Sequence, residues 1–319
     1  MREMNSALVI GGAGFVGSHL CASLARRRCR TIAAVRPATR TDLLHSLAPA
    51  VTVMRVETQN HGALKALFDK TAPDTVFYVA GNGRVRKSSI FDDFSVHLDP
   101  AVFSLLAALR AAAEAKSPPQ AFIRTGTLAE YGDAPTPHAE NVRPQPTTVY
   151  AASVLAGSSI LEVAERSLPF RIANARLGLV YGPRQSTDFL IPMMLQRFMR
   201  GEPVVINDPE AVRDLIHVSD VCDALISLAE TASFVPGPVN IGSGEALSMR
   251  VAAEIILEEL GGPQTLIRAG DPSLAIGSRR LILATEKMAA LTGWRAKLDF
   301  RAGVRSLIAH AMDEERGDA

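Results

Sequence analysis

Gly11-Gly12-Ala13-Gly14-Phe15-Val16-Gly17, directly after the apolar run Ala7–Ile10, is the stretch whose residue types and spacing speak most plainly of chemistry. Glycines at the end of a buried strand permit a tight turn. They also let backbone N–H groups approach a pyrophosphate at the N-terminus of the helix that follows. A bare Gly-x-Gly-x-x-Gly is common, but after the first strand of a βαβ unit it points to a dinucleotide. The end of the second strand decides which one, because an acid there accepts hydrogen bonds from a ribose hydroxyl. The chain instead has Val35-Arg36-Pro37-Ala38-Thr39-Arg40. A guanidinium pairs with a 2′-phosphate and stacks on adenine, so Arg36 and Arg40 predict NADP(H). The alternative is that they are solvated loop charges. Glu57, after the third strand, is either a contact to the adenine amino group or a plain surface carboxylate.

These residues need a sheet to hold them. Over the first 180 residues, short apolar runs alternate with helical patterns. Strands are predicted at Ala7–Ile10, Thr31–Val35, Val51–Arg55, Thr75–Val79, Ala121–Thr125 and Phe170–Ala175. Helices are predicted at 14–28, 61–71, 100–115 and 150–167. That alternation implies an α/β fold, a Rossmann-type doubly wound parallel sheet covered on both faces. After Tyr181-Gly182-Pro183 the rhythm loosens, with helices near 189–200, 218–232 and 248–260. The expected organisation is an NADP(H)-binding domain over 1–180 and a smaller substrate-binding lobe over most of 181–319. The lobe is interleaved with the last sheet elements. The polar end, Asp313–Ala319, is expected to fray.

Bulk properties narrow the class. A length of 319 residues, 47% hydrophobic and 21% charged, is that of an ordinary globular enzyme. A formal net charge of +1 gives no reason to expect nucleic acid or an anionic membrane as partner. The run Ala7–Ile10 is far shorter than the roughly 20 residues that span a bilayer. Cys21, Cys29 and Cys222 are scattered, which fits inert thiols in a reducing cytoplasm. The histidines show no ligand spacing, so no metal is expected.

Tyr150-Ala151-Ala152-Ser153-Val154 is similar to the active-site helix of the short-chain dehydrogenase/reductases, whose pattern is Tyr-x-x-x-Lys. Further motifs follow in order: Arg176-Leu177-Gly178-Leu179-Val180-Tyr181-Gly182-Pro183, Arg213-Asp214-Leu215-Ile216-His217-Val218, Asn240-Ile241-Gly242-Ser243-Gly244, and Lys287 through Trp294. Nearly the whole chain thus resembles the extended members of that superfamily, and more narrowly the NAD-dependent epimerase/dehydratase family acting on nucleotide sugars. The resemblance implies that Tyr150 is the acid/base and lies beside the cofactor. Thr127, four residues before Tyr131-Gly132, is implied to hold the reacting sugar oxygen, a purely structural threonine being the alternative. Arg213 is implied to pair with the substrate diphosphate, for which a guanidinium fork is suited, and Arg268 to do the same. Gly11, Gly14, Phe15, Val16, Gly17 and Ala80 are the implied cofactor wall. Arg84, Arg86 and Lys87 form a basic loop near the substrate entrance, or a solvated one. Relatives often dimerise through the tyrosine helix and the helix before it, so a homodimer is expected.

Three positions depart from the family pattern. The 4,6-dehydratases carry an acid pair after the threonine, where this chain has Leu128-Ala129. Glu130 comes one residue late and, on an extended segment, faces the other way. Leu179 replaces an asparagine that touches substrate in many members. Val154 replaces the lysine. Residues i and i+4 share a helix face, so the tyrosine loses the ammonium that lowers its pKa. On that ground alone Tyr150 is expected near the ordinary value of about 10. Oxidising an alcohol needs the phenolate as base, whereas reducing a ketone needs the phenol as acid. The expectation is therefore an NADP(H)-dependent 4-ketoreductase of a keto-sugar nucleotide. An epimerase or dehydratase, or a ligand-binding member disabled by Val154, are the alternatives.

Overall fold

The computed structural model describes residues 4–45, 47, 49–81, 89–231, 236–274 and 277–317. Six of the predicted strands appear as β1 (Ser6–Ile10), β2 (Arg30–Val35), β3 (Val51–Arg55), β4 (Thr75–Tyr78), β5 (Ala121–Thr127) and β6 (Arg171–Leu177). They join Pro238–Ile241 in a seven-stranded sheet, in the order Pro238–Ile241, β6, β5, β4, β1, β2, β3. Every neighbouring pair is parallel. A parallel sheet buried on both faces calls for unbroken apolar strands, and β1 shows why. Ala7 and Val9 enter one core while Leu8 and Ile10 enter the other, as the two-residue period requires.

Helices close both faces. Phe15–Arg26 and Val218–Glu230 cover the first core, and His61–Thr71, Ser104–Ala113 and Val149–Ala164 lie on the second. The edge strand Pro238–Ile241 and the helix Val218–Glu230 reach the sheet from beyond residue 181, so the C-terminal part of the chain is interwoven with it. A separate core joins the helices Leu190–Met199, Met249–Leu260 and Phe300–Gly317 through Met194, Phe198, Ile256, Leu257, Val304 and Leu307. Each fully buried side chain of this size contributes about 1.5–3 kcal/mol.

Two sequence expectations need correction. The helix expected from Pro100 begins ten residues earlier. Ile90–Leu98 is helical, capped by Ser89 Oγ accepting from Asp92 N, and a π-turn at Asp99–Phe103 joins it to Ser104–Ala113. The π-turn absorbs Pro100, whose missing N–H and ring interrupt an ordinary helix. This apolar stretch, Ile90–Ala113, is long and hydrophobic enough to cross a membrane, yet Ala101, Leu105, Ala108, Leu109 and Ala112 are buried within the protein. The polar tail differs as well: the last helix continues through Asp313 to Gly317, anchored by Phe300, Val304 and Leu307 on its buried face.

Between β1 and β4 the strand order reverses direction, and the carboxyl ends of β1, β4 and β5 open into a crevice there. Doubly wound sheets bind their ligands at such switch points.

Candidate active site

A cavity of about 690 Å³ fills that crevice. Its wall includes Ala13 through Val16 after β1, Val79 through Gly81 after β4, Thr125 through Ala129 at the end of β5, and Tyr150 and Val154. On the first side, Gly14 caps the helix Phe15–Arg26 with no side chain over its opening N–H groups. Gly11 has φ +91°, and a Cβ there would sit 2.8 Å from Ala80 Cα. A Cβ on Gly17 would sit 2.2 Å from the Gly11 carbonyl oxygen. Only glycine allows this fold-back, which leaves a bare helix N-terminus facing the cavity. That cradle fits the pyrophosphate of a dinucleotide.

On the other side, Thr148 Oγ1 accepts from Ala151 N at 3.1 Å and starts the helix Val149–Ala164. The cap places Tyr150 in the first turn and Val154 one turn on, buried. The helix passes very close to the π-turn, since a Cβ on Gly157 would lie 2.2 Å from the Ala101 carbonyl oxygen. That approach sets the Tyr150 ring edge-on to His97, with centroids 5.3 Å apart. Thr127, the last residue of β5, lines the cavity together with Tyr150. Burial lifts this phenol above its ordinary range. The Thr127 hydroxyl and the Arg124 charge pull it back, and the Glu130 carboxylate pushes it further up. Tyr150 is therefore a phenol at neutral pH, held more firmly in that form than loss of the lysine alone implies.

Glu130 faces away from the cavity wall, though not because the segment is extended. Leu128–Glu130 is a 3-10 turn in which Glu130 Oε1 accepts from Thr127 N at 3.0 Å and Thr127 Oγ1 accepts from Ala129 N at 3.3 Å. Glu130 is fully buried. The wall beside Thr127 is thus apolar, formed by Leu128 and Ala129 and continued by Leu179, Phe189, Leu190 and Met249.

The comparisons with known proteins agree with this geometry. Residues 7–242 match the NAD dependent epimerase/dehydratase family. The chain belongs to that family. It is 30% identical over 323 residues to a dTDP-glucose 4,6-dehydratase of an Actinoplanes species, covering 95% of this chain and 96% of that one. It is 27% identical over 313 residues to a dTDP-6-deoxy-L-talose 4-dehydrogenase (NAD(P)(+)) of Kitasatospora kifunensis, covering 94% and 93%. Among solved structures, the Thermus thermophilus UDP-glucose 4-epimerase complexed with NAD superposes with a TM-score of 0.82 at 28% identity, covering 96% of this chain and 98% of that one. Members of the family use a nicotinamide cofactor and act on nucleotide sugars.

Several expected residues share the cavity: Gly14, Phe15, Val16, Ala80, Thr127 and Tyr150 line it, and Gly11 and Gly17 shape the turn behind. Others lie outside its wall. Arg36, Arg40 and Glu57 are exposed. Arg55 orders the loop between them by donating to the carbonyls of Pro37 at 2.6 Å and Thr39 at 3.0 Å. Arg40 is paired with Asp42 at 2.7 Å. Arg213 donates to the carbonyls of Val212 and Arg279, both at 2.9 Å, and Arg268 is exposed on the short strand Ile267–Ala269. Arg84, Arg86 and Lys87 lie outside the described residues. Cys21, Cys29 and Cys222 are buried free thiols, and no metal-binding cluster occurs among the described residues.

The sequence reading missed His97, Arg124, Arg184 and Gln185 in the cavity wall. Arg124 had a signal, being the one charged residue within Ala121-Phe122-Ile123-Arg124-Thr125, an otherwise strand-like run. His97 had none, because its approach to Tyr150 depends on the π-turn.

Proposed function

We propose that this protein is an NADP(H)-dependent reductase of a keto-sugar nucleotide, with Tyr150 as proton donor and Thr127 as the group that orients the carbonyl oxygen. One observation carries this reading. The Tyr150 phenol lines the cavity with Thr127, is raised in pKa by burial, and has an apolar Val154 where an ammonium would make it a base. The glycine cradle and the N-terminus of Phe15–Arg26 would hold the cofactor pyrophosphate, Ala80 and Val16 would pack on it, and Arg36 would face its 2′-phosphate. NADPH held there would supply the hydride for the carbonyl carbon. Thr127 positions the carbonyl oxygen against the phenol, and Tyr150 transfers its O–H proton to that oxygen, leaving an alcohol and a tyrosinate that solvent reprotonates. Arg213 and Arg268 are assigned to the nucleotide diphosphate.

Leu128 and Ala129 tell against elimination of water, which needs an acid and a base beside the threonine. The similarity to a 4-dehydrogenase supports a redox step at a sugar carbon. A second reading, redox-neutral 4-epimerisation, is favoured by the similarity to the Thermus thermophilus enzyme. It begins with oxidation, for which the raised Tyr150 pKa is unsuited.

The function also includes a homodimer. Ile90, Phe91, Phe103, Leu106 and Val163 expose apolar surface on the tyrosine helix and the helices preceding it. The deciding experiment follows NADPH oxidation with 4-keto-sugar nucleotides, for the chain and its Val154→Lys variant together. Turnover by the unaltered chain supports the reductase. Interconversion of 4-epimers without net NADPH consumption replaces it with the epimerase, and ligand binding with no turnover in either form replaces it with a binding protein.

A further inference from the structure

Beneath the tyrosine helix lies a buried ionic cluster that the proposed reaction leaves without a task. β5 supplies Arg124, the 3-10 turn supplies Glu130 and β6 supplies Arg176, with side chains 2%, 0% and 1% exposed. Arg124 Nη1 donates to Ser158 Oγ and Asn174 Oδ1, both at 2.9 Å, and Nη2 donates to the Val154 carbonyl at 2.8 Å. Glu130 Oε2 accepts from Ser158 Oγ at 2.6 Å and from Arg176 Nε at 2.9 Å, and its Oε1 lies 3.8 Å from Arg124 Nη1. Arg176 is further held over the Tyr131 ring, 4.5 Å from its centroid. Charges this deep are costly unless paired and hydrogen-bonded, and here one carboxylate faces both guanidiniums. That leaves a net positive charge.

The cluster holds the backbone of Thr127 and the helix that carries Tyr150. Glu130 grips the backbone N–H of Thr127 on one side and Ser158 of the tyrosine helix on the other. Arg124 grips the carbonyl of Val154 itself and lines the cavity. We propose that the Arg124–Glu130 pair is the positioning element that fixes Tyr150 against Thr127, and that Arg124 supplies from below the helix the fixed positive charge that Val154 does not. This rests on Tyr150 being the proton donor of the proposed reaction. A cation in the same cavity wall, bonded to the tyrosine helix, stabilises the tyrosinate left after proton transfer. The Glu130 carboxylate keeps that cation from making the resting phenol a base.

Among the described residues, the other charged or titratable groups around Tyr150 come from four elements, one of them Arg184 in the same cavity wall. His97 faces it from the helix Ile90–Leu98, and Arg176 from β6 is held by Glu130. Asp99, in the π-turn, is engaged by Gln59 and Ser104. The tyrosine helix carries no charged residue from Val149 through Leu161.

Tyrosinate absorbance against pH tests the pair without any substrate. The chain has four tyrosines, and Tyr78, Tyr131 and Tyr181 are at most 1% exposed, so the first ionisation is assigned to Tyr150 by its absence in Tyr150→Phe. Glu130→Gln is expected to raise the ionised fraction of Tyr150 at a given pH about tenfold, and Arg124→Gln to lower it about tenfold, one pH unit each way. Unchanged curves in folded variants, or shifts of the same sign, overturn the proposal. If a single variant does not fold, the double variant Arg124→Gln/Glu130→Gln keeps the net buried charge. It is expected to titrate like the parent, and a shift of a full unit overturns the proposal. The titration reads no turnover, so a chain inactive with every keto-sugar nucleotide refutes the reductase while leaving this result to stand or fall separately.

Discussion

The ring of His97 stands edge-on to that of Tyr150 at 65°, with the centroids 5.3 Å apart, and both residues line the cavity. Edge-to-face pairs contribute about 0.5–1.5 kcal/mol beyond the area they bury. The contact also limits the rotamers open to the tyrosine. His97→Ala is expected to cost about 1 kcal/mol of stability. It is also expected to lower kcat about tenfold with little change in the NADPH KM, because the phenol loses its side support. Thermal unfolding and steady-state kinetics on the same preparation check both. A kcat equal to that of the parent removes His97 from the account.

The raised Tyr150 pKa sets a pH dependence with a definite sign. A proton donor is competent below its pKa and is lost as pH rises through it. Burial moves that point above the ordinary value of about 10. Ketone reduction is therefore expected to show no loss attributable to this group between about pH 7 and pH 10. In Val154→Lys the added ammonium lowers the tyrosine pKa, so the alkaline limb moves to lower pH and alcohol oxidation near neutrality improves. The comparison needs kcat/KM in both directions for both forms. An alkaline limb at the same pH in both refutes the electrostatic role assigned to position 154.

How far the sequence could be read depended on whether a signal was local. The glycine turn was legible because Gly11, Gly14 and Gly17 stand at fixed offsets after an apolar strand, and the backbone alone decides what they do. The sheet was legible for the same reason, since Leu8 and Val9 are both apolar and both faces are covered. Glu130 was not legible. Its partners Ser158 and Arg176 lie 28 and 46 residues away in the chain, and a capping turn replaced the extended backbone on which its direction was judged. Arg213 was read by motif as a phosphate ligand, and the motif gave no sign of the bonds its guanidinium makes to the carbonyls of Val212 and Arg279, the latter 66 residues away in the chain.

Gly17→Ala is expected to disable cofactor binding while leaving most of the fold intact. The added Cβ would lie 2.2 Å from the Gly11 carbonyl oxygen and 2.9 Å from Gly12 Cα. These are backbone atoms, so the turn itself must move, and with it the N–H groups at the start of the helix Phe15–Arg26. Quenching of the Trp294 emission or calorimetric titration with NADPH is expected to show affinity reduced by about a hundredfold or more, roughly 2.7 kcal/mol. Parental affinity in a folded variant contradicts the assignment of the dinucleotide to this turn.

Cofactor choice is expected to rest on Arg36 more than on Arg40, whose guanidinium is already engaged by Asp42 at 2.7 Å. Exposed pairs are weak, but a phosphate competing for Arg40 must displace that partner. Arg36→Ala is expected to raise the KM for NADPH about tenfold, matching the loss of one charge-assisted hydrogen bond of about 1.5 kcal/mol, and to leave the KM for NADH unchanged. Arg40→Ala is expected to change the NADPH KM less than threefold, about 0.6 kcal/mol. Equal KM values for the two cofactors in the parent chain refute the NADP(H) preference outright.

The exposed apolar residues on the tyrosine helix and its neighbours give the proposed dimer its test. Phe91 is 78% exposed, Phe103 56% and Val163 77%, unusual for side chains of this size on a free surface. Val163 lies on the tyrosine helix, Phe103 in the π-turn and Phe91 on the helix Ile90–Leu98, all outside the sheet, so a second copy docking there buries them without disturbing it. Placing a charge among them imposes a desolvation penalty in the dimer and none in the monomer. Phe103→Glu is expected to convert a dimer into a monomer in gel filtration at micromolar concentration. Because Phe103 lies in the π-turn that sets His97 against Tyr150, the monomer is also expected to lose activity. Phe91→Glu, on the outer end of the first helix, is expected to weaken the dimer while sparing the site. A parent chain that elutes as a monomer disproves the dimer, and full activity of monomeric Phe103→Glu shows that the site needs no second copy.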